Sequence, residues 1–168
     1  VVVLLHGHRR HFQTGISEKS FISQTAQIGK DCHINDFVYI SENAVIGDNC
    51  ILYPGVFIGP DAKIGNECIL YPNAVVYDEC VLGDRVIVQA CASIGQDGFG
   101  FSTHQGVHHK IPQIGRVVIE EDVEIGSCAV IERGTLEDTI IGKGTKISDS
   151  VAIGHGARIG PHCLLVPQ

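Results

Sequence analysis

Residues 16–94 read ISEKSFISQTAQIGKDCHINDFVYISENAVIGDNCILYPGVFIGPDAKIGNECILYPNAVVYDECVLGDRVIVQACASI. A branched aliphatic residue stands at every sixth place: Ile16, Ile22, Ile28, Ile34, Ile40, Ile46, Leu52, Ile58, Ile64, Leu70, Val76, Leu82, Val88 and Ile94. Four residues after most of them comes a small side chain, such as Ala26, Cys32, Ala44, Cys50, Ala62 or Cys68, and Gly often follows the aliphatic directly, as at Gly29, Gly47 and Gly65. No helix has a period of six. A short strand followed by a tight turn does, because the small residue, its successor and the next aliphatic then alternate in, out, in, and the Gly-polar-polar stretch makes the turn. Strands this short cannot stand alone, so the hexads must stack as a solenoid.

Three hexads per coil give an 18-residue repeat. Cys32, Cys50 and Cys68 are 18 apart, as are Ala26, Ala44 and Ala62, and Tyr53-Pro54 recurs as Tyr71-Pro72. The expected fold is therefore all-β, a parallel β-helix over residues 16–168 with one ejected loop at about 95–116, where the 25 residues from Ile94 to Ile119 break the count. Hexads resume at Ile119, Ile125 and Ile131. After a four-residue insertion near Thr135 to Thr139 they continue from Ile141 to Leu165. Outward residues stack too. Phe21, Tyr39, Phe57 and Val75 form one stripe, and His33, Ile51, Ile69 and Ile87 another; two apolar stripes call for a self-complementary assembly.

Val1 to Gly15 lie outside the register and read as a linker or the remnant of an N-terminal domain. With no Met in the chain and a stop in mid-repeat at Gln168, the sequence reads as part of a longer protein. The net charge of −7, without a basic block, argues against nucleic acid. No apolar run is long enough for a transmembrane segment. Of seven Cys, five (Cys32, Cys50, Cys68, Cys80 and Cys163) fall on the inward small position. They read as core thiols of a reducing, cytoplasmic compartment rather than as metal ligands. His104, His108 and His109 crowd the loop, but a His run there sets no tetrahedral geometry, so a substrate-covering loop is expected and no metal site.

The loop motif GFGF (Gly98 to Phe101), HKIPQIGRVVI (His109 to Ile119), VEIGSC (Val123 to Cys128) and RGTLEDTIIGKGTKI (Arg133 to Ile147) together resemble the UDP-3-O-acylglucosamine N-acyltransferases of lipid A biosynthesis. That resemblance implies a left-handed coil, whereas the general crossover rule favours the right hand. It implies a homotrimer and transfer of a 3-hydroxyacyl chain from acyl carrier protein to the 2-amino group of a UDP-sugar. It requires no diffusible cofactor, since phosphopantetheine arrives with the carrier. The family's D-N-x-x-Q-I-A-H-N pattern falls on Ser148 to Gly156, which makes His155 the implied catalytic base, with Phe99, Phe101, His109 and Asp149 as implied substrate-binding residues. Ser148, Asp149, Ala152 and Gly156 replace the family's Asp, Asn, Gln and second Asn. A non-catalytic trimeric scaffold, and a metal-dependent hydratase of the γ-carbonic-anhydrase kind, are the competing readings.

Overall fold

The computed structural model describes residue 11 and residues 15–167; most of the linker or remnant expected at 1–15 lies outside the described residues. The chain winds as a parallel β-helix with three faces, each a seven-stranded parallel sheet. The first sheet runs from His33–Ile34 to Leu164–Leu165, the second from Phe21–Ile22 to Ala152–Ile153, and the third from Gln27–Ile28 to Arg158–Ile159. Most strands are only two residues long, one shorter than the hexad suggests.

The 18-residue register holds through the first coils, where Ile51 pairs Ile69 and Val76 pairs Ile94. The step becomes 37 where Leu82 pairs Ile119, then 22 where Ile119 pairs Ile141, and returns to 18 where Ile141 pairs Ile159. The excesses over 18 are the ejected loop, 19 residues, and the insertion, four. Both are extruded while the parallel pairing on either side continues, with one register irregularity between Ile94 and Gln96 at the root of the loop.

Inside, each coil contributes three aliphatic residues and three small ones. Ile34, Ile40, Leu52, Ile58, Leu70 and Ile94 are fully buried, as are Ala44, Ala62, Ala74 and Ala92. Full burial of one such aliphatic side chain contributes about 1.5–3 kcal/mol, and a one-residue slip would turn the whole set outward. That is why six-residue spacing survives over so many coils. The coils approach so closely at the turns that a Cβ on Gly47 would lie 2.7 Å from the Gly65 carbonyl group. Turns are also stapled coil to coil: the backbone N–H groups of Lys30, Asp48 and Asn66 donate to Asp48, Asn66 and Asp84 one coil on, at 2.7–2.9 Å.

Cys32, Cys50, Cys68 and Cys80 are buried in this core, Cys163 is half-buried in the last coil, and Cys91 and Cys128 are exposed at turns. Burial pushes the Cys32 and Cys80 thiols up. Cys50 is raised too, by its contact with Cys68 and then by burial. A maleimide in native buffer should therefore label Cys91 and Cys128 promptly, and Cys32, Cys50, Cys68 and Cys80 only on unfolding. Mass spectrometry of the labelled peptides checks this, and prompt labelling of Cys50 or Cys68 would contradict the packing.

Candidate active site

Each coil has three corners. The corner where the chain passes from the second sheet to the third is regular in the early coils, as at Ser41 to Ala44 and Gly59 to Ala62. In two successive later coils it is not, and in the coil after them it is regular again and carries His155. The ejected loop leaves there after Ser93–Gln96 and re-enters at Val117–Ile119. The insertion lies there between Val130–Glu132 and Thr139–Ile141, and the His155 turn lies there between Ala152–Ile153 and Arg158–Ile159. The two departures from the hexad count and the implied base are thus stacked at one corner.

The loop is not irregular throughout. Phe101–His104 and Val107–Lys110 pair as an antiparallel hairpin, turned by Gln105 and Gly106, which both have positive φ (49° and 75°) as a two-residue type I′ turn requires. Cross-strand pairing puts Phe101 opposite Lys110 and Thr103 opposite His108, while His109 pairs with Ser102 and lies on the other face. Phe99, Phe101, Thr103 and His108 line an apolar hollow of ≈ 480 Å³. Phe99 packs edge-on against Phe101, with ring centroids 5.1 Å apart. Phe99 is 82 % exposed. The His108 ring is fixed by Thr103 Oγ1 at 2.9 Å, and Lys110 pairs with Asp97 at 2.6 Å.

The returning arm of the loop is zipped to the insertion one coil on: the N–H groups of Ile114 and Gly115 donate to the carbonyls of Thr135 and Gly134, and Thr139 N–H donates to the Arg116 carbonyl. Gly115 and Gly134 leave no room for side chains; a Cβ on either would fall inside the Glu137 carbonyl. Beneath the outgoing arm, the buried Arg133 guanidinium donates to the Gly95 carbonyl (2.6 Å), the Asp78 carbonyl (2.8 Å) and the Asp78 carboxylate.

His155 is exposed at the second position of its turn, beside a shallow cleft of ≈ 270 Å³ lined by Thr135, Leu136, Glu137, His155 and Gly156. Gly98 of the loop lies directly against it: a Cβ on Gly98 would be 2.6 Å from His155 Cβ and 2.9 Å from Cγ. The turn is held from the preceding coil. His155 N–H donates to Glu132 Oε2 (3.2 Å), and Gly156 N–H donates to Thr139 Oγ1 (2.9 Å), whose own hydroxyl donates to the Glu132 carbonyl (2.7 Å). These backbone donors are committed to the fold, so an oxyanion near His155 must draw its donor from elsewhere.

Of the residues implied by sequence, His155 and the segment leading into Phe99 and Phe101 come together. His109 lies on the opposite hairpin face. Asp149 lies one corner away, where its Oδ1 accepts the Ser127 N–H at 2.7 Å, the same staple that Asp48 and Asp84 make. Among the described residues no group of three or more His, Cys, Asp or Glu gathers as a metal site. Sequence reading missed Gln113, Glu132 and Thr139. Each has a partner about one coil on: Gln113 meets Thr135 22 residues on, Glu132 meets His155 23 on, and Thr139 meets Gly156 17 on.

The repeat family described as bacterial transferase hexapeptide (six repeats) matches residues 25–60 and 61–96. Half of this hexapeptide-repeat chain is similar to proteins named UDP-3-O-acylglucosamine N-acyltransferase. That of Azorhizobium caulinodans is 57 % identical over 84 residues, 50 % of this chain and 24 % of its own length. That of Methylobacterium nodulans is 56 % identical with the same coverage. The match thus spans about a quarter of the length of these curated relatives. Among solved structures, an Arabidopsis UDP-N-acetylglucosamine acyltransferase superposes with a TM-score of 0.78 at 24 % identity, over 89 % of this chain and 52 % of the other. The Campylobacter jejuni enzyme of that name gives 0.63 at 21 %, over 89 % and 49 %. At such identities the two share the fold, and the hexapeptide solenoid is that fold.

Proposed function

We propose that this hexapeptide-repeat chain belongs to a cytoplasmic N-acyltransferase that moves a 3-hydroxyacyl group from acyl carrier protein to the 2-amino group of UDP-3-O-acylglucosamine. The observation that carries the reading is the stacking of loop, insertion and His155 at one corner, with Gly98 against the His155 side chain. The similarity of half the chain to enzymes of that name supports the same chemistry.

In this reading the acceptor nitrogen attacks the thioester carbonyl. A C–N bond forms, the C–S bond breaks, the amine proton passes to the His155 imidazole, and the carrier's thiol leaves with a proton. Phe99 and Phe101 offer apolar surface to the acyl chain, and the oxyanion donor comes from the loop or from a neighbouring subunit. His109 contributes from the far face of the hairpin. Asp149 is assigned to holding its turn. The test incubates the full-length parent protein with carrier-bound 3-hydroxyacyl thioester and UDP-3-O-acylglucosamine, with mass detection of the amide. Amide formation is expected; its absence at full length would leave the scaffold reading in its place.

We further propose a homotrimer. Ile51, Ile69 and Ile87 form an apolar stripe on the first sheet and are only half-buried in the single chain. Burying each in an interface would contribute up to about 1.5–3 kcal/mol. Ile69→Asp should therefore shift sedimentation toward monomer. A wild type that sediments as a monomer would end the proposal.

A further inference from the structure

We propose that Gln113 is a positioning residue that registers the ejected loop against His155, an inference that rests on the role given to His155 above. Between residues 97 and 116 only Gly98, Gln113 and Gly115 are buried. Two of these are glycines, so Gln113 carries the loop's one buried side chain, itself only 6 % exposed. Both ends of its amide are committed. Oε1 accepts the Thr135 hydroxyl at 2.9 Å, and Nε2 donates to the Ile111 carbonyl at 3.0 Å. With a donor required on one side and an acceptor on the other, the amide plane has a single satisfied orientation.

The outgoing arm of the loop lies on that amide. A Cβ on Gly100 would be 2.7 Å from Gln113 Nε2, and a Cβ on Gly98 would be 3.0 Å from Oε1 as well as 2.6 Å from His155 Cβ. Thr135, the Gln113 amide, Gly98 and His155 therefore form one close-packed series. Thr135 also lines the cleft beside His155, so the series begins and ends at the site. A loop merely tethered to the solenoid would need no such layer, because the backbone bonds from Ile114 and Gly115 to the insertion already hold its return. The amide fixes what those bonds do not, the height of the Gly98–Phe101 arm over the imidazole. A buried polar group is costly to strand, which makes the arrangement all-or-none.

The experiment uses the full-length protein in two variants. Gln113→Met keeps the side-chain length and removes both hydrogen bonds. Thr135→Val removes only the hydroxyl donor, and it carries the test should Gln113→Met fold poorly. Displacement of a reacting group by about 1 Å can cost about 10²-fold. Both variants should therefore lower kcat by about 10-fold or more while changing KM less, and both should shift the His155 ring resonances in ¹H–¹³C spectra. The double variant should be no worse than the poorer single, and Thr135→Ser, which keeps the hydroxyl, should recover most of the loss. His155 resonances that stay in place in well-folded Gln113→Met and Thr135→Val would overturn the inference. The ring readout also separates the two claims. Shifted resonances in a protein whose wild type transfers no acyl group would remove the acyltransfer reading and keep Gln113's role. Transfer with unmoved resonances would do the reverse.

Discussion

His155→Ala is expected to lower acyl transfer by about 10²–10⁴-fold, the usual contribution of a positioned general base, with little change in melting temperature. The reason for the large kinetic effect is position. The imidazole stands at the mouth of the ≈ 270 Å³ cleft with the loop arm against it, and among the described residues no hydrogen bond or ion pair ties up its ring. The reason for the small structural effect is that the turn is held by its backbone. The His155 and Gly156 N–H groups keep their Glu132 and Thr139 acceptors whatever side chain residue 155 bears, and an exposed side chain leaves no cavity when truncated. His155→Gln should be as inactive as His155→Ala, since an amide cannot take up the proton. Single-turnover rates with carrier-bound 3-hydroxyacyl thioester decide it. Equal rates for wild type and His155→Ala would remove His155 from the chemistry.

Why the site lies where it does was written in the hexad count, though not in any one motif. Counting strands in threes from Ile16 puts Ile94, Ile131 and Ile153 all on the second sheet. The loop, the insertion and His155 each follow one of them, so their meeting at one corner needs no coordinates to deduce. The 18-residue register, the inward Cys ladder and the outward stripes were equally legible, because burial enforces period two within strands and period six along the chain. The loop was legible only as an interruption. Its hairpin lacks any hexad, and the one clue is Gln105-Gly106 between two four-residue strands, a weaker turn signal than Asn-Gly. Gln113 was illegible for a different reason. Its partner Thr135 lies across an ejected segment whose path the period does not fix, so spacing alone cannot tell that the amide turns inward. Asp149 illustrates the converse. Resemblance put it at a substrate, and what the spacing adds is that its Oδ1 staples a turn just as the Asx residues of the early coils do.

Arg133→Ala is expected to cost roughly 2–4 kcal/mol of stability, most of it from stranded acceptors rather than from a lost ion pair. The guanidinium is 8 % exposed, while its partner Asp78 is 46 % exposed. On truncation the carboxylate simply rehydrates, so that part of the loss is small. The Gly95 and Asp78 carbonyls are different. They accept from Arg133 at 2.6 and 2.8 Å, and the Gly95 carbonyl lies at the buried root of the loop, where losing a donor costs about 1–3 kcal/mol. The volume vacated adds to this, since Gly95 already packs so tightly that a Cβ there would meet the Cys80 sulfur. Arg133→Lys should recover only part of the loss, because one ammonium cannot reach acceptors in two coils in the fork geometry a guanidinium supplies. The control is Arg85→Ala. Arg85 makes a bidentate pair with Asp122 at 2.6 and 2.9 Å, as short as any at Arg133, yet both partners are about 40 % exposed or more, and solvent screening leaves its loss with little effect on stability. In thermal melts Arg133→Ala should fall by several degrees and Arg85→Ala barely move. Equal shifts would mean that burial is not what gives Arg133 its weight, and that the loop root is held by something other than this guanidinium.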